Sequence, residues 1–146
     1  MSDSCYAATR TNYFHVKDEE EYARLFDRLE GDEDVIDLSE TDKNGICEHC
    51  FGSYGYIAYC PDEESSGDMM PFFRALQKIL PEDEAFIMIE AGWQDGMGIG
   101  YYGVPEGVGA DATVVTANDI RTLSVEDASI RLAREMLNNP DYNTYL

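Results

Sequence analysis

From Tyr22 the apolar residues return at Leu25, Phe26 and Leu29, the spacing i, i+3, i+4, i+7 of one helical stripe. Asp18 and Glu21 stand three apart just before it, the spacing of a capping box, and Gly31 follows as a C-terminal glycine would. A second helix is predicted over about 68–80, with Met69, Phe72, Phe73, Leu76, Ile79 and Leu80 inward and Pro81 as its stop. A third runs from a Ser124 cap, with Asp127 three residues on, to Asn139-Pro140, and turns Ala128, Leu132, Ala133, Met136 and Leu137 inward.

Between these lie shorter runs with strand character. TNYFHV (11–16) is β-branched and aromatic, and DVIDL (34–38) alternates. Segments 45–50 and 54–60 read as two strands bent around Gly52-Ser53. AFIMIEAGW (85–93) holds a continuous apolar run, as a central strand buried on both faces would. Asp95-Gly96 is a hairpin turn, with MGIGYYGV (97–104) returning as partner, and ATVVT (112–116) is a further strand. Hairpins and helices mix without βαβ alternation. The expected fold is therefore α+β: a single domain with a mainly antiparallel twisted sheet of about five to six strands and three helices.

Charge alters this ordinary picture. The 146 residues carry 30 acids against 10 Lys and Arg, a formal net charge of −20, while 44% of residues are hydrophobic. That apolar content is enough for a core, which separates the chain from disordered acidic tails. The first 50 residues hold 14 acids and 5 bases, and 12 of the acids fall between Asp18 and Asp42, opposed there only by Arg24 and Arg28. Such a field repels nucleic acid and anionic membranes and attracts basic surfaces. Direct nucleic-acid binding is excluded on this ground. No apolar run reaches the roughly 18 residues of a membrane helix, and the first 14 residues lack a signal-peptide pattern, so a cytosolic protein is expected.

Candidate chemistry is sparse. Cys47-Glu48-His49-Cys50, with Cys60 ten residues on, is the sharpest motif; a C-x-x-C turn offers zinc two thiolates, and His49, Cys60, Cys5 or His15 would complete the set. Redox use would need the pair to open a helix, which Phe51-Gly52-Ser53-Tyr54-Gly55 does not resemble. The plain alternative is small apolar cysteines on strands. The glycines at 96–109 match no phosphate-binding pattern, and serine-hydrolase and calcium-loop motifs are absent. No nucleophile–base pair is visible, so no enzymatic activity and no required cofactor are expected.

The stretch TNYFHVKDEEEY (11–22) resembles the N-terminal segment of small acidic proteins encoded by phages and plasmids, with an N-Y-F-x-V-K-D pattern ahead of an amphipathic helix. AFIMIEAGW, followed by GYYG (100–103), resembles their later strand pair. The resemblance covers about half the chain; the Cys47–Cys60 segment departs from it. It implies a mobile-element protein of a kind that inhibits host defence nucleases, restriction or CRISPR complexes, by occupying their nucleic-acid sites. The expected contact set is Asp18, Glu19, Glu20, Glu21, Asp32, Glu33, Asp34, Asp37, Glu40 and Asp42, extended by Asp62, Glu63 and Glu64, each carboxylate standing in for a phosphate. Tyr142 and Tyr145 are candidate aromatic anchors. The partner would be a basic nucleic-acid-binding host protein. The competing expectation is an acidic accessory domain, zinc-stabilised or salt-adapted, without mimicry.

Overall fold

The computed structural model describes residues 5–31, 33–94, 110–124 and 129–145. They form an α+β fold. Its main sheet has six strands, all antiparallel, in the order β10-β9-β8-β1-β6-β3. The strands are β1 (Cys5–Thr11), β3 (Ile36–Asp37), β6 (Phe51–Ser53), β8 (Phe86–Gln94), β9 (Ala110–Val115) and β10 (Ile120–Leu123). Two small ribbons accompany it: β2 (Leu29–Gly31) with β7 (Ile57–Tyr59), and β4 (Glu40–Thr41) with β5 (Cys47–Glu48). The helices are α1 (Glu19–Asp27), α2 (Met70–Gln77) and α3 (Ser129–Leu137).

The apolar run Phe86–Ile89 of β8 is explained by helices on both sides. Phe86 and Met88 join the core with α1 and α2, while Ile87 and Ile89 join α3 in a separate cluster. Strand β9 splits the same way, with Val115 toward α2 and Val114 toward α3. At the centre of the larger core, Phe86 meets Phe14, Phe51, Phe72 and Phe73 at ring-centroid distances of 5.0, 6.0, 6.1 and 6.1 Å.

Asp18 caps α1 as expected, its side chain accepting from the Glu21 amide at 3.0 Å. Tyr22 and Leu25 are buried beneath it. Replacing Asp18 by Ala is expected to cost about 1 kcal/mol in urea unfolding, since the amide loses its partner in the first turn. Gly31 does not terminate this helix. The chain turns extended after Arg28, and Gly31 pairs with Ile57; a Cβ there would lie 2.5 Å from the Glu33 carbonyl oxygen. Gly52-Ser53 is likewise not a bend. Both are in β6, where a Cβ on Gly52 would lie 2.9 Å from the Thr9 carbonyl oxygen.

The first strand lies earlier than its β-branched, aromatic run suggests, because Asn12 ends it. Its backbone N–H still donates to the Ile87 carbonyl at 3.0 Å, but its buried side-chain amide takes over the return bond, accepting from the Ile87 amide at 2.8 Å and donating to the Ala85 carbonyl at 2.9 Å. Phe14, beyond it, keeps only an isolated bridge to His49. Strand β10, a short segment with two exposed polar residues, was not anticipated. Helix α3 closes through Asn138 at φ 51, a left-handed residue, as helix ends favour. Its inward residues Leu132 and Ala133 are buried, with Met136 and Leu137 partly so. The expected hairpin at 95–104, Asp127 and Ala128 lie outside the described residues. No helix is long and apolar enough to cross a membrane among the described residues.

Candidate functional site

The β4–β5 ribbon and the start of α1 gather the most concentrated chemistry. In the ribbon Glu40 faces Glu48 and Thr41 faces Cys47, so neighbouring side chains leave by opposite faces. On one side, Cys47 Sγ lies 3.6 Å from His49 Nδ1, and His49 Nε2 lies 2.7 Å from Glu19 Oε2. The imidazole is nearly buried, its ring centroid 4.1 Å from that of Tyr22. Helix α1 supplies Glu19 from its first residue, while Glu19 itself stays largely exposed.

A thiol, an imidazole and a carboxylate in line form the skeleton of an activated nucleophile, a juxtaposition that sequence spacing did not disclose. The electrostatics oppose that use. Burial, then Glu19, Asp37 and Glu48, push the Cys47 thiol above its ordinary pKa, so the nucleophilic thiolate is disfavoured.

Toward the other side, His15 Nδ1 contacts both oxygens of Glu84, at 2.8 and 3.0 Å, and the His15 amide donates to the same carboxylate. One donor atom each from His15, Asp42 and Glu48 lies within 4.8 Å of the others. Asp42 Oδ1 is fixed by the amides of Asn44 and Ile46, at 2.8 and 3.0 Å, in a turn completed by Gly45 at φ 79. Burial pulls the pKa of His15 down, but the hydrogen bond and charge of Glu84, then Glu48 and Asp42, outweigh it and leave it raised.

The predicted acids fall into separate places. Asp18, Glu19, Glu20 and Glu21 line the first turn of α1; Asp37 lies near Tyr22 and Cys47, Glu40 near Tyr13, and Asp42 beside His15. Glu33 and Asp34 are exposed between β2 and β3, and Asp32 lies outside the described residues. Asp62 and Glu63 stand at the opposite end of α1, where with Asp27, Arg28, Glu30, Cys60 and Ser65 they border an open groove of about 500 Å³. Glu64 is exposed in the same loop, its amide bonded to Asp62. Glu84 and Glu48 were missed. Glu84 is 69 residues from its histidine partner, and no local pattern announces such a contact.

The proposed zinc ligands Cys47, His49, Cys50 and Cys60 do not converge. Cys50 is buried, its thiol donating to the Thr11 carbonyl at 3.4 Å, and Cys60 lies at the α1 groove, where burial, then Glu30, raise its pKa. Cys47 is on the β4–β5 ribbon, away from the α1 groove of Cys60, and Cys50 behaves as a small core residue. Cys5 has no described side chain. Tyr142 is no exposed anchor either. It is buried, and its hydroxyl donates to the Ala85 carbonyl at 3.1 Å and accepts from the Ala85 amide at 3.2 Å. Tyr145 is exposed.

A further carboxylate pair lies on the sheet, where Glu90 and Asp111 face each other in register. Burial, then the charge of Asp111, raise the Glu90 pKa above its ordinary value. A raised carboxyl favours folding below its unfolded pKa and loses that contribution as pH rises through the folded value. Glu90→Gln is therefore expected to raise the melting temperature at pH 7, with the difference from wild type shrinking as pH falls toward 4. Calorimetry across that range checks it.

Comparison with protein-family models, with curated proteins and with solved structures returns no match.

Proposed function

We propose that this chain is a non-enzymatic inhibitor from a mobile element. Its acidic surface would occupy the nucleic-acid groove of a host defence nuclease complex, of the restriction or CRISPR kind, as a DNA mimic. One observation carries the reading. Carboxylates from the first turn of α1, from β3 and from the β4–β5 ribbon sit on neighbouring elements, Glu19 and Asp37 near Cys47 and Asp42 and Glu48 beside His15, on a folded chain of net charge −20. Solubility alone asks for a net charge of magnitude only about 2–8 on a small domain.

Duplex DNA presents one charge per roughly 1.7 Å of axis. A groove evolved for that density is basic and holds counter-anions, which a rigid array of carboxylates displaces as phosphates do. Regular elements hold these carboxylates. The nine residues of α1 span about 13 Å at 1.5 Å per residue. The N-Y-F-x-V-K-D resemblance supplies the mobile-element context.

The test is capture of partners on the tagged chain from host lysate, at low and then high salt. The expected result is a stoichiometric nucleic-acid-binding complex, released by salt or by competing DNA. If the captured proteins are no more basic than background, the charge serves solubility or salt adaptation instead.

A further inference from the structure

The cysteine motif drew attention to zinc, but a different set of residues is placed to hold a cation. We propose that His15, Asp42 and Glu48 bind one divalent transition-metal ion of the zinc class, with Glu84 as the residue that orients the imidazole. This goes beyond the inhibitor reading and does not depend on it.

The donor set is the first argument. One donor atom from each residue already lies within 4.8 Å of the others, and all three side chains are half-buried. Ligand bonds to zinc are about 2.0–2.2 Å for imidazole nitrogen and carboxylate oxygen, so closing on an ion needs only small side-chain movement. One imidazole with two carboxylates suits zinc, iron or manganese better than calcium, which prefers an all-oxygen shell of six to eight. Three protein ligands would leave the remaining coordination to water.

The support around the set is the second argument. Metal-bound histidines usually give their other ring nitrogen to a carboxylate, which fixes the ring and its tautomer. Glu84 meets Nδ1 with both oxygens, and that leaves Nε2 as the nitrogen available to a cation. Asp42 is similarly prepared. Two backbone amides hold its Oδ1, and Oδ2 is left to bind.

The third argument is charge. Among the described residues, no Lys or Arg forms an ion pair with Asp42 or Glu48. Two carboxylates held this close without a cation repel each other. A bound ion would remove that repulsion and tie the β4–β5 ribbon to the segment after β1.

The experiment titrates the full chain with Zn²⁺ by calorimetry and with Co²⁺ by visible absorption. The expected result is one ion per chain, a raised melting temperature, and cobalt bands without a thiolate-to-metal charge-transfer band. Asp42→Asn and Glu48→Gln, near-isosteric changes on half-exposed side chains, should each weaken binding on the order of 100-fold, and Glu84→Gln by about 10- to 100-fold. Far-ultraviolet circular dichroism confirms that each variant is folded.

A thiolate band would overturn the proposal and return the metal to the cysteines. Equal binding by wild type and the Asp42 and Glu48 variants would also overturn it, as diffuse attraction to the acidic surface. So would the absence of saturable binding. None of these outcomes touches the inhibitor assay, so the two readings fail separately.

Discussion

The triple variant Glu19→Lys, Glu20→Lys, Glu21→Lys is expected to lose inhibition by on the order of 100-fold or more. Close charge pairs across protein interfaces are coupled by about 1.5–7 kcal/mol, and 1.4 kcal/mol is a tenfold change. Reversal replaces attraction to a basic groove by repulsion at three adjacent positions. It should also slow association, because steering acts through the same field. Two features of the fold qualify the variant. Lysines in the first turn oppose the helix dipole, at about 0.3–1 kcal/mol each, and Glu19 holds His49. Glu19→Gln, which keeps the side chain's length, separates loss of charge from loss of shape. A charge-matched control compares the double variant Glu20→Lys, Glu21→Lys with reversal of Glu135 and Asp141, exposed residues on and after α3. If inhibition depends on the α1 surface, this control should keep it nearly intact. Equal losses in both variants would mean that net charge, not placement, is what the partner reads. Dose–response curves against the captured nuclease complex decide between them.

The second large effect concerns the core. Phe86→Ala should destabilise the fold by about 3–5 kcal/mol, the usual cost of deleting a fully buried phenylalanine. Phe86 is 0% exposed, and four other phenylalanine rings surround it. Those rings come from the segment before α1, from β6 and from α2, so they cannot collapse together into the space. A domain of this size has roughly 5–15 kcal/mol of stability in total, and such a loss should lower the urea midpoint sharply. Tyr145→Ala, at a residue 75% exposed, should change stability by less than about 0.5 kcal/mol. A loss below about 1 kcal/mol at Phe86 would mean that the two-sided packing of β8 is wrong.

What is legible in the sequence follows a physical divide. Local periodicity exposed all three helices, because each buries a stripe set by its own 3.6-residue repeat. The apolar run Phe86–Ile89 that opens β8 announced a strand covered on both faces. Features decided by distant partners were hidden. Asn12 ends β1 only because Ala85 and Ile87 lie across from it. Gly31 and Gly52 resemble punctuation in the sequence, yet each is demanded by a backbone oxygen close to where its Cβ would be. The cysteine spacing suggests a metal turn, but Cys50 turns into the core against the Thr11 carbonyl and Cys60 lies at the groove beside the end of α1. The acidic stretch was plain as composition. Its meeting with Glu48 and Glu84 around His15 was not, since those residues lie 33 and 69 positions from that histidine.

Mimicry makes one claim that no other use of the acidic surface shares: protein and nucleic acid must exclude each other. The most direct measurement is displacement of a labelled DNA or RNA ligand from the captured nuclease complex by the purified chain. The expected result is full competitive displacement, with the apparent affinity of the chain falling as salt rises. A ternary complex, in which chain and labelled nucleic acid are bound together, would contradict it.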